Sequence, residues 1–148
     1  LDLIVEGFKR KLLIYHGFSI MYFINNINKL NQMREEDVAE VMRIMLKSRH
    51  LAPVHGSSQI VPLKKDYLVI SETPDIFATG HVHKVLISKF KETVILNSSC
   101  WQFQTSYQKK YNILPEIAKV PLINLRDKSG IILDFLGEKV QEFKKGLI

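Results

Sequence analysis

Short apolar runs alternate along this chain with segments of helical periodicity, and that alternation restricts the fold more than any other feature. Lys11–Tyr15 (KLLIY) is a brief apolar run that reads as a buried strand ending at His16-Gly17. A helix is expected next, with Ser19 as its cap and Ile20, Phe23, Ile24 and Ile27 at helical spacing. A second helix is expected where Val38, Val41, Met42, Met45 and Leu46 form one stripe. Its acidic start, Glu35-Glu36-Asp37, and basic end, Lys47 and Arg49, suit the helix dipole, and Pro53 follows as a stop. Residues 48–62 read as a loop. Strands are then expected at Tyr67–Ile70, Asp75–Thr79, Val85–Phe90 and Val94–Leu96, with a hairpin of Val120–Leu125 and Ile131–Phe135 around Asp127–Gly130. Glu138–Lys145 suggests a short helix or a tail. The class is α/β or α+β.

Composition narrows the function classes. With 148 residues, 46% hydrophobic and 24% charged, the chain can bury a core and is not a disordered polymer. No apolar run approaches the roughly 20 residues of a bilayer span, and no signal-peptide pattern is seen, so no membrane partner is expected. The single cysteine, Cys100, has no internal partner, which points to a reducing, cytoplasmic setting. The net charge of +6 is spread over clusters such as Lys9-Arg10-Lys11 and Lys109-Lys110; it suits nucleic acid, or a merely basic surface. The chain begins at Leu1 and its first methionine is Met21, which reads as a piece of a longer chain.

The chemistry is concentrated in Gly80-His81-Val82-His83. On an extended backbone, residues two apart point to one side, so both imidazoles can reach one metal ion or two adjacent ones. A surface histidine pair would have the same spacing. His16, also at a strand end and followed by glycine, adds a third imidazole at the sheet edge where α/β sites gather. Three histidines suit zinc, but no carboxylate is placed to bridge two ions: Asp75 lies about 20 Å from His81 along an extended strand. Arg49 and His50, after the second helix, can meet a phosphate or simply close the helix. Trp101, Phe103 and Tyr107 can stack on bases or anchor a core or interface.

Four stretches together resemble the small subunit of archaeal family-D DNA polymerases: Tyr15-His16-Gly17, Arg49-His50-Leu51-Ala52-Pro53, Pro74 to His83 (PDIFATGHVH), and Asn97 to Thr105 (NSSCWQFQT). The G-H-x-H piece is shared by calcineurin-like metallophosphoesterases in general; the R-H-L-A-P and W-Q-x-Q-T pieces are more specific. The resemblance implies the C-terminal half of a single metallophosphoesterase domain over residues 1–148, a four-layer sandwich of two mixed β-sheets flanked by helices. It implies that His16 and His81 bind one divalent metal ion and His83 a second, manganese foremost, with magnesium, zinc or iron as alternatives. Arg49, His50 and Trp101 would meet DNA. No catalytic residue is expected in this half; the bridging aspartate and the catalytic histidine would precede it. The implied activity is 3′→5′ exonuclease action in replication and proofreading, with a non-catalytic scaffold as the alternative. The large polymerase subunit and DNA are the implied partners. The end of the chain, 141–148, faintly resembles a sliding-clamp-binding box. The family commonly has acidic residues soon after the His-Gly, and Phe18–Asn26 has none.

Overall fold

The computed structural model describes residues 1–30, 34–59, 61–137 and 140–143. Two strands open the chain, β1 (Asp2–Val5) and β2 (Phe8–Tyr15), paired antiparallel. Their turn places Glu6 and Gly7 at φ 48° and 80°, the twin positive angles that match a tight hairpin to strand twist. β1 was not foreseen, and β2 starts three residues before the expected strand.

Two helices follow, α1 (Phe18–Asn26) and α2 (Glu35–Ser48). Gly17, not Ser19, is the N-cap of α1. Ser19 is buried one residue inside the helix, where its hydroxyl donates to the Leu51 carbonyl at 2.6 Å. The stripe of α2 is buried throughout, from Val38 to Leu46. The helix ends before Pro53, at Arg49 in the left-handed conformation.

The segment expected as a strand at Tyr67–Ile70 makes only an isolated bridge, His50 with Val69. Asp66 accepts the Leu68 N–H at 2.8 Å, and that local turn replaces one ladder bond. β3 (Ile76–Thr79), β4 (Val85–Phe90) and β5 (Thr93–Ser98) complete a five-stranded mixed sheet ordered β1-β2-β3-β5-β4. β2, β3 and β5 are parallel, so their C-terminal ends share one edge.

Leu13, Phe77 and Ile95 lie in register across these three strands and face the helices, where they join Ile20, Val38 and Met42 in the core. A short helix, α3 (Ser106–Lys110), precedes a second sheet of β6 (Lys119–Ile123), β7 (Gly130–Asp134) and β8 (Val140–Phe143). The β6–β7 hairpin is as expected. β8 replaces the expected terminal helix or tail, and the described pairings of this sheet are antiparallel rather than mixed. It packs on β4 and β5 so closely that a Cβ on Gly130 would lie 3.0 Å from Ile87 Cδ1. The architecture is the mixed α+β arrangement of two sheets with helices. Residues 144–148, most of the clamp-box resemblance, lie outside the described residues. No helix among the described residues is long and apolar enough to cross a membrane.

Candidate metal centre

The parallel register sets the site. Tyr15 is opposite Thr79, so His16 and Gly80 follow side by side as β2 and β3 end. Gly80 N–H donates to the His16 carbonyl at 3.2 Å, extending the ladder one step. The chain then turns tightly: His81 adopts φ 66° and Val82 N–H donates to the Gly80 carbonyl at 2.8 Å. A three-residue turn with a positive central φ is strained for a side chain other than glycine. The expected extended backbone through His81 and His83 is therefore replaced by a bend, and the two rings take different partners.

His81 turns to His16. His16 Nε2 and His81 Nδ1 are 3.1 Å apart. Phe18, itself exposed, lies against both rings, with centroids 4.4 Å from His16 and 5.1 Å from His81. Gly17 makes this approach possible. It sits at φ 106°, and a Cβ there would be 2.8 Å from the Gly80 carbonyl oxygen and 3.3 Å from His81 Cβ. Partial burial, then repulsion from His16 and His83, pushes the His81 imidazole below its usual range. It is thereby kept neutral, with a ring-nitrogen lone pair to offer.

His83 turns to α3. Its Nδ1 is 2.7 Å from Gln108 Nε2. Buried Asn97, at the end of β5, fixes the turn between the two histidines: its amide donates to the Val82 carbonyl at 2.6 Å and accepts from Thr79 Oγ1 at 2.9 Å.

The donor chemistry of the first pair fits a metal ion. His16 Nε2 and His81 Nδ1 lie close enough that both imidazoles would be able to offer a nitrogen lone pair to one divalent ion. Among the described residues, no group of three or more His, Cys, Asp or Glu side chains gathers to hold an ion.

No family model matches the chain. The small subunit of DNA polymerase II from Thermoplasma acidophilum is 38% identical to it over 135 residues, 90% of this chain and 27% of that protein. The corresponding subunit of Archaeoglobus fulgidus is 41% identical over 112 residues, 75% of this chain and 22% of that protein. In Pyrococcus furiosus the figures are 36% over 130 residues, 86% of this chain and 21% of that protein. This chain is homologous to a segment of the archaeal DNA polymerase II small subunits. The segment spans about a fifth to a quarter of those relatives' length.

The remaining site candidates fall in two places. Arg49 donates from Nε to the Ile70 carbonyl at 2.9 Å, from one terminal nitrogen to the Ser71 carbonyl at 2.6 Å and from the other to Thr73 Oγ1 at 2.5 Å. His50 Nδ1 accepts the Ala52 N–H at 2.9 Å, which leaves its proton on Nε2, 2.9 Å from Asp66 Oδ2. That bond, first among its causes, lowers the Asp66 pKa. Both side chains are engaged with the 66–73 loop. Trp101 lies elsewhere, 67% exposed, its ring tilted against Phe135 with centroids 5.5 Å apart.

Three residues that shape the site were not singled out from the sequence: Phe18, Asn97 and Gln108. For Gln108 a signal existed. Thr105-x-x-Gln108 is a capping-box spacing, and it starts a helix beside His83.

Proposed function

We propose that this chain belongs to the small subunit of an archaeal DNA polymerase and supplies half of a two-metal site for 3′→5′ exonucleolytic cleavage of DNA. The supporting observation is the His16–His81 pair, brought to 3.1 Å at the adjoining ends of two parallel strands. On this reading His16 Nε2 and His81 Nδ1 hold one divalent ion, manganese foremost, and His83 contributes to a second. Ions bound in such a site lower the pKa of bound water and offset the charge of the phosphoryl group. The chain's own residues hold the two imidazoles side by side, pack Phe18 against them, and present Trp101 as a surface for a base. The carboxylate that bridges the ions and the histidine that assists the leaving group would come from outside this segment, so the segment alone has no turnover. In the cell the subunit would work in replication, bound to the large polymerase subunit and to DNA.

The assay is manganese-dependent release of nucleotides from single-stranded DNA by the full-length protein, in wild type and His81→Ala. A loss of at least about a hundredfold is expected, the scale on which removal of one essential stabilising group acts. Equal rates would reject the nuclease reading. A scaffold role is the second reading, favoured by the absence of a three-ligand group among the described residues. Full-length protein that binds the large subunit but degrades no DNA with any divalent ion would establish it.

A further inference from the structure

Gln108 is 8% exposed, and its single amide serves two partners. Its Oε1 lies 2.9 Å from the Thr105 backbone nitrogen and 3.2 Å from Thr105 Oγ1, while Nε2 lies 2.7 Å from His83 Nδ1. A backbone N–H only donates, so the amide oxygen must face Thr105 and the NH2 must face His83. An amide NH2 also only donates. His83 Nδ1 is therefore the acceptor, and the proton of the neutral ring sits on Nε2. In this arrangement His83 Nε2 is a hydrogen-bond donor and has no lone pair for an ion.

We infer that Gln108 is the positioning residue that decides whether His83 acts as a hydrogen-bond donor or as a metal ligand. The inference rests on the reading above, in which His83 serves one of two ions. For His83 to bind through Nε2, its proton must leave Nε2 for water and another must arrive at Nδ1. Gln108 must then turn its amide over to present Oε1 to Nδ1–H. That turn places an NH2 against the Thr105 N–H, so the capping box of α3 loses its reciprocal bond, while Thr105 Oγ1 still accepts the Gln108 backbone N–H at 3.2 Å. Ion capture at His83 is thus coupled to the start of α3, and through it to the surface carrying Tyr107 and Tyr111. With its amide as placed, Gln108 opposes the second ion and leaves the His16–His81 pair untouched.

Glutamate at this position would remove the conflict. It caps as well as glutamine, and its two acceptor oxygens can take the Thr105 N–H and a His83 Nδ1–H together. A carboxylate behind a ligating imidazole fixes the metal-binding tautomer, and such partners change metal affinity by about 10- to 100-fold.

The test uses metal-stripped full-length protein with nitrogen-15 histidine, wild type and Gln108→Glu. It reads the His83 tautomer from long-range proton–nitrogen spectra and then the binding of manganese by titration. The expected results are an Nε2–H ring in the wild type, an Nδ1–H ring in Gln108→Glu, and at least about tenfold tighter binding of the weaker ion in the variant. An Nδ1–H ring in the metal-free wild type overturns the inference by itself, even if the variant fails to fold. So does a variant with unchanged tautomer and unchanged affinity. The expected tautomers with no manganese bound by either protein would count against the metal reading and leave the hold of Gln108 on His83 standing.

Discussion

His16 with His81, and Arg49 with His50, are two pairs of similar residues at the ends of regular elements, and the fold treats them oppositely. The first pair is brought together by backbone alone: parallel β2 and β3, Gly17 at their junction, and the tight turn at His81. Its facing nitrogens contact each other and an exposed aromatic ring. The second pair is engaged in holding a loop, with Arg49 bonded to three groups of residues 70–73 and both His50 nitrogens paired. Position at the end of a helix or strand brings a side chain to the surface. Whether its donors stay available depends on the neighbouring loop.

The largest break in this contrast should come from Gly17→Ala. The new Cβ meets a carbonyl oxygen at 2.8 Å and must hold φ 106°, so a loss of about 3 kcal/mol of stability is expected in chemical denaturation, together with weakened metal binding. Gly7→Ala is the control: its φ is also positive, 80°, but nothing lies within 4 Å, and only about 1 kcal/mol should be lost. A smaller effect is expected from Arg49→Ala. Loss of its loop bonds should cost about 1.5 kcal/mol while manganese affinity stays within about twofold. If Arg49→Ala instead leaves stability unchanged and abolishes DNA binding, the loop-holding account of Arg49 is wrong.

The sequence made legible what depends on pattern. The stripe of α2, the strands expected at 75–79 and 94–96, and the hairpin of 120–125 with 131–135 follow from periodicity and turn residues, because burial of one face requires them. His16 and His81 were each legible as candidates because each follows an apolar strand beside a glycine, but spacing alone paired His81 with His83, and only the resemblance put His16 with His81. Three features were not. The bend at His81 arises from the hydrogen bond between Gly80 and Val82, and no residue type in that stretch demands it. The Gln108 contact with His83 joins residues 25 apart through a side-chain amide, which periodicity does not encode. The engagement of Arg49 and His50 depends on Asp66 and the carbonyls of 70–71, contacts made by a loop without regular pattern.

The most direct test of the central claim is a manganese titration of the full-length protein and its His16→Ala, His81→Ala and doubly substituted forms. If the two imidazoles share one ion, each single change should weaken the same site by at least about a hundredfold, and the double change should be little worse than either. Two independent losses that add, or single variants that bind manganese as the wild type does, would contradict it.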